Sequence, residues 1–153
     1  MIHIVLVEPV IPPNTGNIAR TCVATNTQLH LVEPLGFSLD DRALKRAGLD
    51  YWFDLNVNLW ADLDHCLPAF SDRQIYYVTT KGEQLYSDVQ YDTDCALFFG
   101  KEDKGLPEEI LSTHPERCIR IPMANQKRSL NLANSVSIVL YEALRQQGFP
   151  GLK

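Results

Sequence analysis

The sequence predicts an α/β domain built on a largely parallel sheet, and three observations carry that prediction. Short apolar runs of strand length alternate with helix-length segments along the whole chain. Clusters of small, polar and glycine residues follow several of these runs directly, where open α/β sheets place their binding loops. The 153 residues are 45% hydrophobic and 22% charged, enough for one buried core and short for two, so a single domain over residues 1–153 is expected.

Ile2 to Val7 reads as a buried strand. Pro12 and Pro13 follow, and the stretch Asn14-Thr15-Gly16-Asn17 offers side-chain oxygens to cap a helix from about Ile18 to Ala24. Leu29 to Val32 is a second strand, stopped by Pro34 and Gly36. Asp40 and Asp41 open a short helix that carries Arg42, Lys45 and Arg46, acids first and bases later as the helix dipole favours. Ala61 to Cys66 is predicted helical, limited by Pro68. Ile75 to Thr79 and Ala96 to Phe99 read as central strands feeding loops. Pro107 suits the first turn of a helix with Glu108 and Glu109 behind it, and Cys118 to Ile121 is the last strand. The final helix is predicted from about Leu130 to Gln147, with Leu132, Val136, Val139, Leu140, Ala143 and Leu144 at core spacing.

Composition excludes several function classes. A net charge of −5 argues against gripping nucleic acid by bulk electrostatics. The charge is uneven, however: residues 50–95 hold nine acids and two bases, and the remainder of the chain is mildly basic. Cys22, Cys66, Cys95 and Cys118 form no Cys-x-x-Cys pair, and His3, His30, His65 and His114 are equally dispersed. A disulfide scaffold, a zinc ribbon and a metal site are therefore not expected. No segment approaches ~20 continuous apolar residues and the first apolar run has no basic leader, so a cytoplasmic, non-membrane protein with reduced thiols is expected.

Three polar clusters stand at predicted strand ends. Pro12 to Thr21 contains Asn14 and Arg20, and by itself reads equally as a capped helix start with a solvated arginine. Leu97 to Pro107 contains Gly100, Glu102 and Gly105, and by itself reads equally as a charged surface turn. It is no P-loop, because Leu106 and Pro107 follow Gly105. Ile119 to Val136 contains Ser129, Asn131 and Asn134; two asparagines at one helix start exceed what a cap requires.

In this order the clusters resemble the three motifs of the SPOUT class of RNA methyltransferases: Asn14-x5-Arg20, Gly100-x-Glu102-x-x-Gly105-Leu106-Pro107, and Ser129-Leu130-Asn131-Leu132-Ala133-Asn134. Within the class the chain is most similar to the small tRNA 2′-O-methyltransferases of the wobble nucleotide, C34 or U34, in leucine tRNAs. The similarity extends to Ile4-Val5-Leu6 through Glu8-Pro9, Arg46 to Tyr51, Thr79-Thr80-Lys81-Gly82 and Tyr141-Glu142-Ala143. Departures are Lys101, Asp103 and Lys104 in place of Pro, Thr and Arg, Ala133 in place of Ser, and Val7 and Val10 in place of Tyr and Glu.

The resemblance implies an alpha/beta knot, in which the C-terminal third makes a deep trefoil knot, and S-adenosylmethionine as cofactor. The implied cofactor residues are Val78, Thr79, Gly100, Glu102, Gly105, Ile121, Met123, Ser129, Leu130, Asn131 and Asn134. Arg20 is implied at the reacting 2′-hydroxyl, with Asn14, Glu102, Ser129 and Asn131 in support. A guanidinium is normally protonated, so orientation and charge stabilisation suit Arg20 better than a base role. The partners implied are the tRNA anticodon loop and a second copy of the chain, in a homodimer. Arg20, Arg42, Lys45, Arg46, Lys127 and Arg128 are the candidate RNA contacts, with Lys101 and Lys104 beside them. Two alternatives stay open, namely another tRNA or rRNA target and a noncatalytic RNA-binding module.

Overall fold

The computed structural model describes residues 1–52, 55–124 and 128–153, with backbone alone at 48–52. Seven strands form one sheet in the order β3-β2-β1-β6-β4-β7-β5, every neighbouring pair parallel. They are β1 (Ile2–Val7), β2 (Gln28–Val32), β3 (Val57–Trp60), β4 (Gln74–Val78), β5 (Gln84–Leu85), β6 (Cys95–Phe99) and β7 (Cys118–Arg120). The helices are α1 (Pro12–Ala24), α2 (Arg42–Trp52), α3 (Leu63–Cys66), α4 (Glu108–Thr113) and α5 (Leu132–Gln146).

Every residue of β1 and β6 is buried, as expected of central parallel strands covered on both faces. The pleat divides their side chains between two cores. Ile4, Leu6, Leu97 and Phe99 point to the face where α1 and α5 lie, and meet Ile18, Cys22, Val136 and Leu140 there. Val5, Val7, Ala96 and Phe98 point to the other face, covered by Phe70 of a 3-10 turn at Leu67–Phe70 and by Leu106 and Leu111. Cys22, Cys66 and Cys95 are buried and burial pushes their thiols up to about 12, so none is a nucleophile at neutral pH. Among the described residues no helix is long and apolar enough to cross a membrane, and no three His, Cys, Asp or Glu residues are placed to hold a metal.

Several boundaries differ from the sequence expectation, each for a local reason. The first helix begins at Pro12, six residues earlier than expected, so Asn14 to Asn17 lie inside it. Two prolines at its first positions supply helical φ without needing an N–H acceptor. Asp41 alone caps α2, accepting from Ala43 N at 2.8 Å. Pro107 stands before α4 with extended ψ rather than within its first turn. The last helix starts at Leu132, capped by Asn131 and not by Ser129. The strands β3 and β5 were not expected. The first is only four residues long with Trp60 following Leu59 out of alternation, and the second has only two residues.

Candidate active site

A cavity of about 240 Å³ opens at the carboxyl ends of β4, β6 and β7, three adjacent strands of the sheet. The chain leaving β4 contributes Val78, Thr79, Thr80 and Lys81 to its wall, and the loop after β6 contributes every residue from Gly100 to Leu106. Ile121 and Met123 come from the chain after β7, and Ser129, Leu130, Leu132 and Ser135 from the approach to α5. Nine of the eleven residues implied at the cofactor therefore line one cavity: Val78, Thr79, Gly100, Glu102, Gly105, Ile121, Met123, Ser129 and Leu130.

Local backbone geometry explains why these segments converge. Thr79 N donates to Ile119 O at 2.9 Å, which ties the β4 loop to β7. Gly105 N donates to Lys101 O at 2.9 Å and closes a tight loop with Gly105 at φ 70°. A Cβ at Gly100 would lie 1.9 Å from Gly105 C and 2.1 Å from Leu106 N, so no other residue fits there. At the cavity mouth Lys81 Nζ pairs with Glu108 Oε2 at 2.5 Å, joining the β4 loop to the start of α4.

Glu102 turns away from this loop toward the first helix. Its carboxylate accepts from Val10 N at 2.9 Å and Ile11 N at 3.0 Å, and from Asn14 Nδ2 at 3.4 Å. It thus does for α1 what a side-chain cap does, from 88 residues further along the chain, at the end where the helix dipole favours a negative charge. Asn14 in turn accepts from Asn131 Nδ2 at 3.0 Å, and Asn131 Oδ1 accepts from Asn134 N at 3.2 Å as the cap of α5. One hydrogen-bonded chain, Glu102 to Asn14 to Asn131, therefore joins all three sequence clusters.

Not every expected residue faces the cavity. Asn131 and Asn134 lie beside it, while Leu132 and Ser135, one position further round the helix, contribute to its wall. The sequence offered little signal for these two: Leu132 reads as core, and nothing sets Ser135 apart. Arg20 is exposed on α1, about 9 Å along the axis from Asn14 by helix rise, and lies outside the cavity lining. Arg42 and Arg46 are exposed on α2, Lys45 pairs with Asp40 at 3.4 Å, and Arg128 is exposed just before Ser129. Lys127 lies outside the described residues.

Comparison with known proteins places this geometry. A protein from Methylovorus glucosotrophus named tRNA (cytidine(34)-2′-O)-methyltransferase is 49% identical, over 99% of this chain and 99% of its own. A solved structure described as giving insight into 2-OH methylation of C/U34 on tRNA has a TM-score of 0.91 at 42% identity, covering 97% of both chains. An AdoMet-bound rRNA methyltransferase from Sinorhizobium meliloti has a TM-score of 0.83 at 26% identity, over 94% of this chain and 56% of its own. The SpoU rRNA methylase family profile matches residues 1–141, the span that holds all three clusters and the whole cavity, and the chain belongs to that family.

Proposed function

We propose that this protein transfers a methyl group from S-adenosylmethionine to the ribose 2′-hydroxyl of nucleotide 34 in tRNA. One observation carries the reading: the Glu102, Asn14 and Asn131 chain binds the three family-like clusters to one another around a cavity at the carboxyl ends of the strands. The near full-length relative and the solved structure named for position 34 support the target.

The residues present fit the cofactor. The wall combines apolar groups, Val78, Phe99, Leu106, Ile121 and Leu130, with the hydroxyls of Thr79, Ser129 and Ser135. Closely packed backbone at Gly100 and Gly105 completes it, and an adenine needs this mixture of an apolar slot and polar edges. When bound, the cofactor supplies an electrophilic methyl group on a sulfonium. Val78, Ile121 and Leu130 would hold its flat apolar part, Thr79 and Ser129 its polar edges, and Glu102 keeps the intervening loop in place through α1.

Arg20 orients the 2′-hydroxyl and stabilises the charge that develops there, while the hydroxyl proton leaves to another acceptor such as a substrate phosphate. Since Arg20 lies outside its own chain's cavity lining, we place it at the cavity of a second subunit in a homodimer. We further propose a single cytoplasmic domain whose C-terminal third forms a trefoil knot. In support, β7 enters the sheet between β4 and β5, and Gln146 at the end of α5 ties back to the β5–β6 connection through Val89 O and Tyr91 N at 2.9 and 3.1 Å. Leucine isoacceptors are the tRNAs the resemblance favours.

The test is nucleoside mass spectrometry of tRNA before and after incubation with the purified protein and labelled S-adenosylmethionine. A single new 2′-O-methyl at position 34 is expected. Methylation elsewhere, or cofactor-independent tRNA binding with no transfer, would overturn the assignment.

A further inference from the structure

A second concavity opens on the same rim of the sheet, outside the residues assigned so far. A shallow, open groove is lined by Glu33, Leu35, Phe37, Ser38 and Leu39 of the loop between β2 and α2, and by Ala61 after β3. Both strands are parallel to β1, so the groove lies at carboxyl ends of strands, as the cavity does. The two are mechanically joined. Gly36 N donates to Pro9 O at 2.9 Å, and a Cβ at Gly36 would lie 2.7 Å from Val10 Cα, so the loop rests directly on the 9–11 segment. That segment donates Val10 N and Ile11 N to Glu102, a residue of the cavity wall.

The lining has a definite chemical character. Leu35, Phe37 and Leu39 are half-buried and alternate with exposed Gly36 and Ser38. Leu35 and Leu39 pack down onto the α1 and α5 core, whereas Phe37 joins neither core formed by the described residues. Glu33 and Ser38 place a carboxylate and a hydroxyl beside this apolar strip. Immediately beyond the loop, Arg42 and Arg46 stand exposed four residues apart on α2. An aromatic ring, two hydrogen-bonding groups and adjacent guanidiniums match a flat heteroaromatic base attached to a phosphodiester backbone.

Building on the proposed reaction, we infer that this groove holds an unstacked anticodon-loop base other than that of nucleotide 34. The base lies against the Phe37 ring, and its neighbouring phosphates lie against Arg42 and Arg46. The groove then reads a second nucleotide while the cavity receives the first, which makes Phe37 a specificity-determining residue.

The experiment uses the full-length protein and anticodon stem-loops carrying 2-aminopurine at each loop position except 34 in turn. One position is expected to change its emission on binding. Phe37→Ala should abolish that change and weaken stem-loop binding at least ~5-fold, the range of one base-aromatic stack, and Phe37→Trp should restore both. Calorimetry should find S-adenosylmethionine affinity unaltered in both variants, which excludes unfolding as the cause. Arg42→Ala should instead lower the salt dependence of binding by about one counterion. Native-like stem-loop binding by Phe37→Ala, a stem-loop that does not bind, or no emission change at any position overturns the inference. Phe37-dependent binding without methyl transfer at position 34 would sustain the groove and refute only the proposed reaction.

Discussion

Replacing Glu102 by glutamine tests the hydrogen-bonded chain at its most demanding point. The carboxylate presents two acceptor oxygens to Val10 N, Ile11 N and Asn14 Nδ2. Glutamine offers one oxygen, and its amide N–H₂ must then face a donor. A hydrogen bond to a charged acceptor contributes about 1.5–3 kcal/mol where it is sheltered. Ile11 is 44% exposed and its freed N–H can be rehydrated, whereas Val10 and Asn14 are better shielded. We therefore expect a total loss of about 1.5–3 kcal/mol, including the lost charge at the helix N-terminus. For a chain of this size that is a fall in Tm of roughly 3–12 °C. Thermal unfolding at fixed protein concentration measures it. A double-mutant cycle with Asn14→Ala should show a coupling of at least ~0.5 kcal/mol. Additive effects of the two substitutions, or a Tm for Glu102→Gln within 1 °C (about the reading error) of the native value, would refute the capping role.

Three further outcomes follow from the geometry. Arg20→Ala should keep S-adenosylmethionine affinity and lose at least ~100-fold in turnover, read by calorimetry and methyl-transfer assay together. Gly100→Ala should abolish cofactor binding in calorimetry, because its Cβ would sit 1.9 Å from the Gly105 carbonyl carbon. Stability should fall as pH drops from about 6.5 toward 4, since desolvation first, then His3 and Arg73, hold buried His30 down at about 4. The folded state binds the proton less readily than the unfolded one, so the contribution is full above the unfolded value and at most ~3 kcal/mol. His30 Nδ1 accepts from Trp60 Nε1 at 3.1 Å, so a proton there would set two donors face to face. A His30→Asn variant that retained the native slope of Tm between pH 6.5 and 4 would contradict this account.

The parts legible in the sequence are those where local pattern and tertiary role coincide. The runs Ile2–Val7 and Cys95–Phe99 are apolar because both faces of a central parallel strand are covered, and no other element could satisfy them as well. The start of α1 was misread because Asn14 and Thr15 have the chemistry of caps, yet both are buried inside the helix while the capping oxygens come from Glu102. No reading of residues 10–20 alone reveals an acceptor that far away. The position of Asn131 was nearly legible: its acceptor oxygen caps α5, and the surplus over capping is its amide, which reaches Asn14. Thr80 and Lys81 were recognised in a family-like stretch but not as cavity wall, since their position depends on Thr79 being held to β7.

The hydrogen-bonded chain also orders events during biosynthesis. Asn14 waits 117 residues for Asn131, and Glu102 secures the first helix only after β6 has been made and inserted beside β1. The wall of the cavity is finished by residues 129 to 135. A growing chain on the ribosome thus carries no methyl-donor pocket through most of its synthesis, and such long-range closure slows folding.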